Sequence, residues 1–498
     1  MSIDKVTSKE ENNVNSVTIR MSELLYLCFL GIMFFAKGIG LYDGQNAYKV
    51  FLVIAFLFIA GKMCITEYTY KEWIIILFLL SLSTVVYRVS GEKGALICMV
   101  TMTAMKNVSL KRAFGVGLVT WSASLIGSFL VALVNLNNVH TEMQTKNITG
   151  AVLRYFMGQP HPNVLHISYF VLSALFIYCV KETYGFRHLV MLTVGNLFVF
   201  FYSYSFTGAL IVMIYICLSY YVSIRTISRA EYFLVYLFFP FCVLFSILAP
   251  IMLRGRAYEL ADKIFNNRIN FARHFLTVDN MSLLGNNLAA ITTDVLTMDN
   301  AFVFALVIYG IPIFLLICAA YIILVSQYVK EKKNIELAMI CCFLAAGITE
   351  PFLFNTSFKN LTLLFIGELF FRVLCKNKPG QKGIAVLPNR DRYITFSVGR
   401  WHKVSEELHQ LWTVHSRMIL GVSCIAAVII SVCAGILYQP RPAILERQML
   451  KQDMDNLLMF ERIRAVVTAF VMGFAAVVIV IGAILKATVG KREHDEEN

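Results

Sequence analysis

Arg268 interrupts an apolar series, Leu260, Ile264, Phe271, Ala272 and Phe275, that recurs at helical spacing between Ala257 and Leu276. The spacing predicts one amphipathic helix lying on or in a membrane surface. A guanidinium on such a stripe either snorkels to ordinary lipid phosphates or meets a buried anion. Arg273 falls off the stripe and reads as solvated. Glu350 stands in Gly347-Ile-Thr-Glu-Pro351, inside a long apolar run. A carboxylate there is expensive unless it faces a cavity or a partner, so a functional role is favoured over a structural ion pair. His161 lies in Gly158-Gln-Pro-His-Pro-Asn163, with Arg154 just before it and an apolar run directly after. Pro162 suits the first turn of a helix. His161 then either caps a rigid corner or is placed to bond a sugar, touch a phosphate or move a proton. Asp299-Asn300 heads another apolar run, where Asp299 could accept a proton, Asn300 could bind sugar hydroxyls, or the pair could cap the helix.

Other ionisable residues read as structural. Glu368 has Arg372 four positions on, the spacing of a local salt bridge. Lys37 and Arg88 sit near the ends of apolar runs and read as snorkelling, and His166 as packing. Asp453-Met-Asp455 superficially resembles a pair of metal-binding carboxylates, but Glu446, Arg447 and Lys451 around it suggest an ordinary exposed helix. The twelve cysteines lie in or beside apolar runs, without zinc-ligand spacing to histidines and without a disulfide framework. No metal and no cofactor is expected.

These residues are carried by a chain whose solvent is the bilayer. Of 498 residues 58% are hydrophobic and 15% charged, and the mean hydropathy is +0.68, which excludes a soluble fold. The polar first twenty-two residues lack the apolar core of a signal peptide. Fourteen candidate spans follow, at 23–40, 47–65, 73–87, 94–105, 113–135, 164–180, 188–203, 207–222, 231–253, 301–325, 335–354, 360–374, 418–437 and 463–486. The fold expected is an all-α polytopic membrane protein.

The net charge of +13 points to topology rather than to nucleic acid. With a cytoplasmic N-terminus the inner loops hold Lys71, Lys106, Lys111, Arg112, Lys181, Arg187, Arg225, Arg229, Lys330, Lys332 and Lys333, and the outer loops far fewer. Both termini then lie in the cytoplasm, and part of the basic excess meets membrane lipid. Residues 1–22 form a cytoplasmic tail, 23–375 a twelve-helix body with a large outer loop at 254–300, 376–417 a basic cytoplasmic linker, and 418–498 a two-helix hairpin and tail. Long outer loops are where chemistry is expected.

Four features in order give the chain a family resemblance. A short fourth span is followed by the basic turn Thr-Met-Thr-Ala-Met-Lys-Asn-Val-Ser-Leu-Lys-Arg112, and Gly158-Gln-Pro-His-Pro-Asn163 precedes the sixth span. The long outer loop carries Asn267-Arg268-Ile269 and then Leu283-Leu284-Gly285, and Asp299-Asn300 precedes a span with Tyr309-Gly310-Ile311. Over roughly residues 20–375 the chain resembles the O-antigen and capsular polysaccharide polymerases of the O-antigen-ligase-like superfamily. It departs from them at Ser205-Phe206-Thr207, where members often carry Ser-Arg-Thr, and in the hairpin beyond residue 417.

The resemblance implies a bacterial inner-membrane, multi-pass glycosyltransferase that polymerises undecaprenyl-pyrophosphate-linked oligosaccharide repeats on the outer face. A flippase and a chain-length regulator of the same pathway are its implied partners. Positive charge is needed where pyrophosphate departs and a base at the acceptor hydroxyl, and arginine supplies the first without a metal. Arg268 is assigned to the pyrophosphate; His161, Glu350 and Asp299 compete for the base. Arg154, Asn163, Arg273 and Asn300 are assigned to substrate binding. The alternatives are a ligase-like transfer of glycan to another acceptor, and a flippase or transporter of lipid-linked sugars. The transporter would favour duplicated halves, paired broken helices and charges near mid-membrane, which the sequence does not display.

Overall fold

A computed structural model describes residues 16–146, 150–292, 297–374, 383–397, 399–441, 444 and 451–496. Glu446, Arg447 and the Cys375–Lys382 part of the basic linker lie outside the described residues. Among those described, eleven helices are long and apolar enough to cross a membrane, so the protein is an all-α multi-pass membrane protein. Two two-stranded sheets are added to the helices. The chain divides into two units, one of Met1–Arg20, Asn137–Tyr155 and Tyr393–Asn498, the other of Met21–Leu136 and Phe156–Arg392.

In the first unit, β1 (Ser16–Arg20) pairs antiparallel with β4 (Tyr393–Ser397), Ser16 opposite Ser397 and Arg20 opposite Tyr393. β2 (Thr141–Lys146) and β3 (Gly150–Tyr155) form a hairpin. Two long helices, Gly399–Ile436 and Lys451–Glu496, pack along each other. The first begins at Gly399 rather than at 418, so the end of the expected linker is helix. The β2–β3 hairpin is fixed to the second long helix by charge. Buried Glu461 accepts from Tyr155 Oη at 2.7 Å and Arg441 Nη2 at 3.0 Å and pairs with Arg464, which also donates to the Leu153 carbonyl at 2.8 Å. Asp453 and Asp455, two positions apart on that helix, point to different sides and cannot share a metal.

The second unit is built from α1 (Met21–Gly38), α2 (Asn46–Ile65), α3 (Tyr70–Ser90), α4 (Gly94–Thr103), α5 (Leu110–Val134), α6 (Pro162–Cys179), α7 (Phe186–Ser203), α8 (Phe206–Ile224) and α9 (Arg229–Met252). The outer loop holds α10 (Gly255–Ile264), α11 (Arg268–Phe275) and α12 (Leu288–Ile291), and α13 (Ala301–Lys330), α14 (Asn334–Thr349) and α15 (Thr362–Leu369) follow. Polar starts punctuate the apolar runs. Thr69 with Glu72, and Ser228 with Glu231, form reciprocal caps that satisfy helix-end amides of α3 and α9.

Helix ends in this unit fall into two sets that alternate along the chain. One set is joined by Ser22–Asp391, Glu23–Arg112, Glu72–Lys106, Tyr68–Ile384, Lys181–Glu336, Tyr232–Asn334 and the pairing of Arg372 with both Glu331 and Glu368. The Glu368–Arg372 bridge read from spacing is there at 2.8 Å. The other set is joined by Asp43–Lys93, Tyr48–Thr356, Gln159–Gly38 and Arg268–Thr349.

Two expectations need correction. The amphipathic segment 257–276 is two helices, because Asn266 and Asn267 both take left-handed backbone, at φ 53° and 65°, a conformation asparagine tolerates and a helix does not. Leu260 and Ile264 stay exposed while Ala272 and Phe275 are buried. α13, expected to be continuous, is broken at Gly310, with φ 79° and ψ 173°. The Leu283–Gly285 backbone packs into that break: a Cβ on Gly310 would lie 2.3 Å from the Leu283 carbonyl oxygen, and one on Gly285 1.9 Å from that of Ile308. Ile311 N–H, freed by the break, donates to the Ser282 carbonyl at 3.2 Å. Two short sequence elements thus meet, and the outer loop is anchored to α13.

Candidate functional site

The C-terminus of α14 sets the site. Pro351 cannot continue the helix, so Glu350 leaves it in extended backbone, φ −142° and ψ 136°. Glu350 is therefore a helix-end residue, not the interior of a span running to 354. The last carbonyls of a helix lack partners and carry partial negative charge. Arg268, at the start of α11 and 8% exposed, answers both. Its Nε donates to the Thr349 carbonyl at 2.6 Å and its Nη2 to Glu350 Oε1 at 3.0 Å. Of the two roles open to Arg268 in the sequence, meeting a buried anion is the one realised, and the anion is the protein's own Glu350.

Asp299 Oδ2 lies 3.8 Å from Arg268 Nε, with about a third of its side chain (31%) exposed. Asn163 Nδ2 reaches Glu350 Oε1 at 3.4 Å. His161 caps α6, its Nδ1 accepting the Asn163 N–H at 3.1 Å. Asn300 is a tie rod. Its Oδ1 caps α13 through the Phe302 and Val303 amides, while Nδ2 donates to Ser246 Oγ at 2.9 Å and the Ile348 carbonyl at 3.0 Å. With donor and acceptor sides of its amide engaged, Asn300 holds α13 against α14 instead of binding sugar. Segments around 161, 268, 299 and 350 thus converge on one charged cluster.

Two assigned residues are placed elsewhere. Arg273 lies over the Tyr258 ring at 4.9 Å. Arg154 belongs to the first unit, where it is buried and pairs with Glu142 at 3.2 Å. His166 is buried with Ser203 Oγ and Asn196 Oδ1 on its two ring nitrogens, at 2.8 and 2.7 Å, as a packed histidine should be.

Two lysines were missed by sequence reasoning. Lys359 is 3% exposed, and its Nζ donates to the Val164 carbonyl at 3.2 Å and Ser168 Oγ at 2.9 Å, so it seats on α6 just past Asn163. Lys37 is 5% exposed, its Nζ 3.8 Å from the centre of the Tyr48 ring. It does not snorkel. Its place one residue before the end of α1 imitates a snorkelling lysine, and no local spacing marks Lys359.

An apolar cavity of about 220 Å³ lies beside the break in α13, lined by residues including Leu79, Met99, Tyr309, Ile313, Phe354 and Ile366. Phe354 comes from the segment that also carries Glu350 and Lys359. Among the described residues no group of three or more histidine, cysteine, aspartate or glutamate side chains is placed to hold a metal. Compared with protein-family models, curated proteins and solved structures, the chain finds no match.

Proposed function

We propose that this chain is a bacterial membrane glycosyltransferase that polymerises undecaprenyl-pyrophosphate-linked oligosaccharide repeats into surface polysaccharide, such as capsule, exopolysaccharide or an O-antigen-like chain, on the outer face of the cell membrane. The observation that carries the reading is the Arg268 cluster, because it gathers three sequence-distant segments that the family resemblance singled out, around 161, 268 and 299, with Glu350, so that a cation, carboxylates and a histidine stand on neighbouring helix ends. Alternating helix ends support a body of twelve crossings with this cluster outside, and the two long C-terminal helices support a further hairpin, leaving both termini cytoplasmic. The apolar cavity suits a polyprenyl chain.

In the proposed step an acceptor sugar hydroxyl attacks the anomeric carbon of the donor glycan. The new C–O bond forms as the bond to undecaprenyl pyrophosphate breaks, and the hydroxyl proton passes to a protein base. Glu350, already holding Arg268 and Asn163, acts by positioning. Asp299, more exposed, is the base we assign, with His161 as the competing group. Cationic side chains near the departing pyrophosphate offset its developing negative charge without a metal.

Deleting the gene and sizing the surface polysaccharide tests this. Loss of long chains with single repeats retained is expected. Polymer made but left unattached would instead identify a ligase, and repeats trapped on the inner face a flippase. The break in α13 is the one observation favouring a transporter, but its exposed backbone is taken by the Ser282–Gly285 turn.

A further inference from the structure

Arg268 is neutralised by Glu350, whereas Lys359 and Lys37 have no carboxylate in ion-pair contact among the described residues. The ammonium of Lys359 rests on a carbonyl and a hydroxyl, and that of Lys37 on a ring face, with no hydrogen bond to a described residue. Asp43, the acid that Lys37 feels most, is held by Lys93 at 2.9 Å. Lys359 feels Lys37 and Glu350. Holding either ammonium in its charged form at this depth is unfavourable unless an anion compensates it.

The two lysines are joined structurally. Lys359 bonds Ser168 Oγ, Ser168 donates to Gln159 Oε1 at 3.2 Å, and Gln159 Nε2 donates to the Gly38 carbonyl at 2.8 Å, next to Lys37. Lys359 therefore sits against the N-terminal turns of α6, an 18-residue helix whose amide dipoles add positive potential there, and the residue after Lys37 is tied to the segment that leads into that helix. Two buried amines and the start of α6 are thus brought to one place by a hydrogen-bonded chain.

We propose that Lys37 and Lys359 form the anion pole that grips the pyrophosphate of the polyprenyl-linked substrate, beside an Arg268–Glu350 pair that positions the reacting groups. This rests on the polymerase reading for its ligand but not for its test. The protein is reconstituted in nanodiscs of zwitterionic lipid and treated with a small amine-reactive reagent, with modification of each lysine followed by mass spectrometry. Added undecaprenyl pyrophosphate should protect both lysines, and undecaprenol should not. In Lys37→Met and Lys359→Met, affinity for undecaprenyl pyrophosphate should fall roughly tenfold or more, as for the loss of a charge-assisted contact. Because each substitution removes a buried amine that has no ion-pair partner among the described residues, the melting temperature of either variant should stay equal or rise.

Modification unaffected by undecaprenyl pyrophosphate overturns the proposal, as does equal protection by phosphatidylglycerol, which would mark a bulk-lipid contact. Should a variant fail to fold, the protection measured on the unaltered protein still decides. Protection in a protein whose deletion leaves polymer length unchanged would keep the anion pole and remove the polymerase. A polymerising protein without protection would do the reverse.

Discussion

The guanidinium of Arg268 closes the C-terminus of α14, bonding the last helical carbonyl, that of Thr349, with Nε and the Glu350 carboxylate with Nη2. Eighty-two positions separate Arg268 from Glu350 in the chain, yet they form one unit. Removing either leaves a buried charge, and replacing the planar fork changes which atoms it reaches.

Arg268→Lys tests the geometry of that fork. A lysine keeps the charge but cannot serve the Thr349 carbonyl and Glu350 through two fixed N–H vectors. Protein levels should stay near normal while polymerisation drops by about a hundredfold, the loss of one charge-assisted contact of roughly 3 kcal/mol. Full-length polysaccharide made at rates within a few-fold of the unaltered strain would refute a role in the reaction.

Glu350→Ala should be worse for stability than Glu350→Ala combined with Arg268→Ala. The single change strands a buried guanidinium at a cost of about 3–5 kcal/mol, and the second removes the stranded charge. Thermal unfolding in detergent, run as a double-mutant cycle, measures the coupling. Strict additivity would mean that the two side chains do not act as a pair.

Much of this architecture could be read from apolar periodicity: eleven of the fourteen candidate spans coincide with helices long and apolar enough to cross a membrane, and those at 94–105, 335–354 and 360–374 with shorter helices. It failed where tertiary contacts override local signals. Gly310 breaks α13 because the Leu283–Gly285 backbone occupies the space, and that partner lies 25 or more positions away. β1 pairs with a strand 373 or more positions on, too distant for any local pattern. In the site, Arg268, Glu350, Asp299 and His161 stood out because their types conflict with their surroundings, but which atoms pair is a matter of packing. Lys37 was misjudged because position near a helix end does not reveal whether the neighbouring space holds lipid headgroups or the Tyr48 ring.

Sidedness is tested with single cysteines at Asp279 and Asn389, both exposed, in a background cleared of reactive thiols. An impermeant thiol reagent applied to spheroplasts should label Asp279→Cys and spare Asn389→Cys until the membrane is opened. Like contacts like across the alternating helix ends, with Ser22 bonded to Asp391 on one side and Asp43 to Lys93 on the other. Labelling of both positions in intact spheroplasts would break that alternation and remove the outer placement of the site.

Gly310→Ala tests whether the break in α13 anchors the outer loop. With φ 79° and ψ 173° the position is in a region reserved essentially for glycine, where another residue carries strain of about 1–3 kcal/mol. The added methyl would also strike backbone, 2.3 Å from the Leu283 oxygen and 2.6 Å from the Gly285 nitrogen, and backbone cannot swing aside as a side chain can. The loop should therefore release. Hydrogen exchange at residues 276–292 should accelerate while the body of α13 from Ile313 onward stays protected, and polymerisation should fall, because Asp299 loses its setting beside Arg268. Gly91→Ala is the control: it shares a positive φ of 74° but has nothing within 4 Å of the new Cβ, so it carries strain without collision. If Gly310→Ala exchanges no faster than Gly91→Ala across the loop, the contact between the break and the Leu283–Gly285 turn does not hold the loop in place.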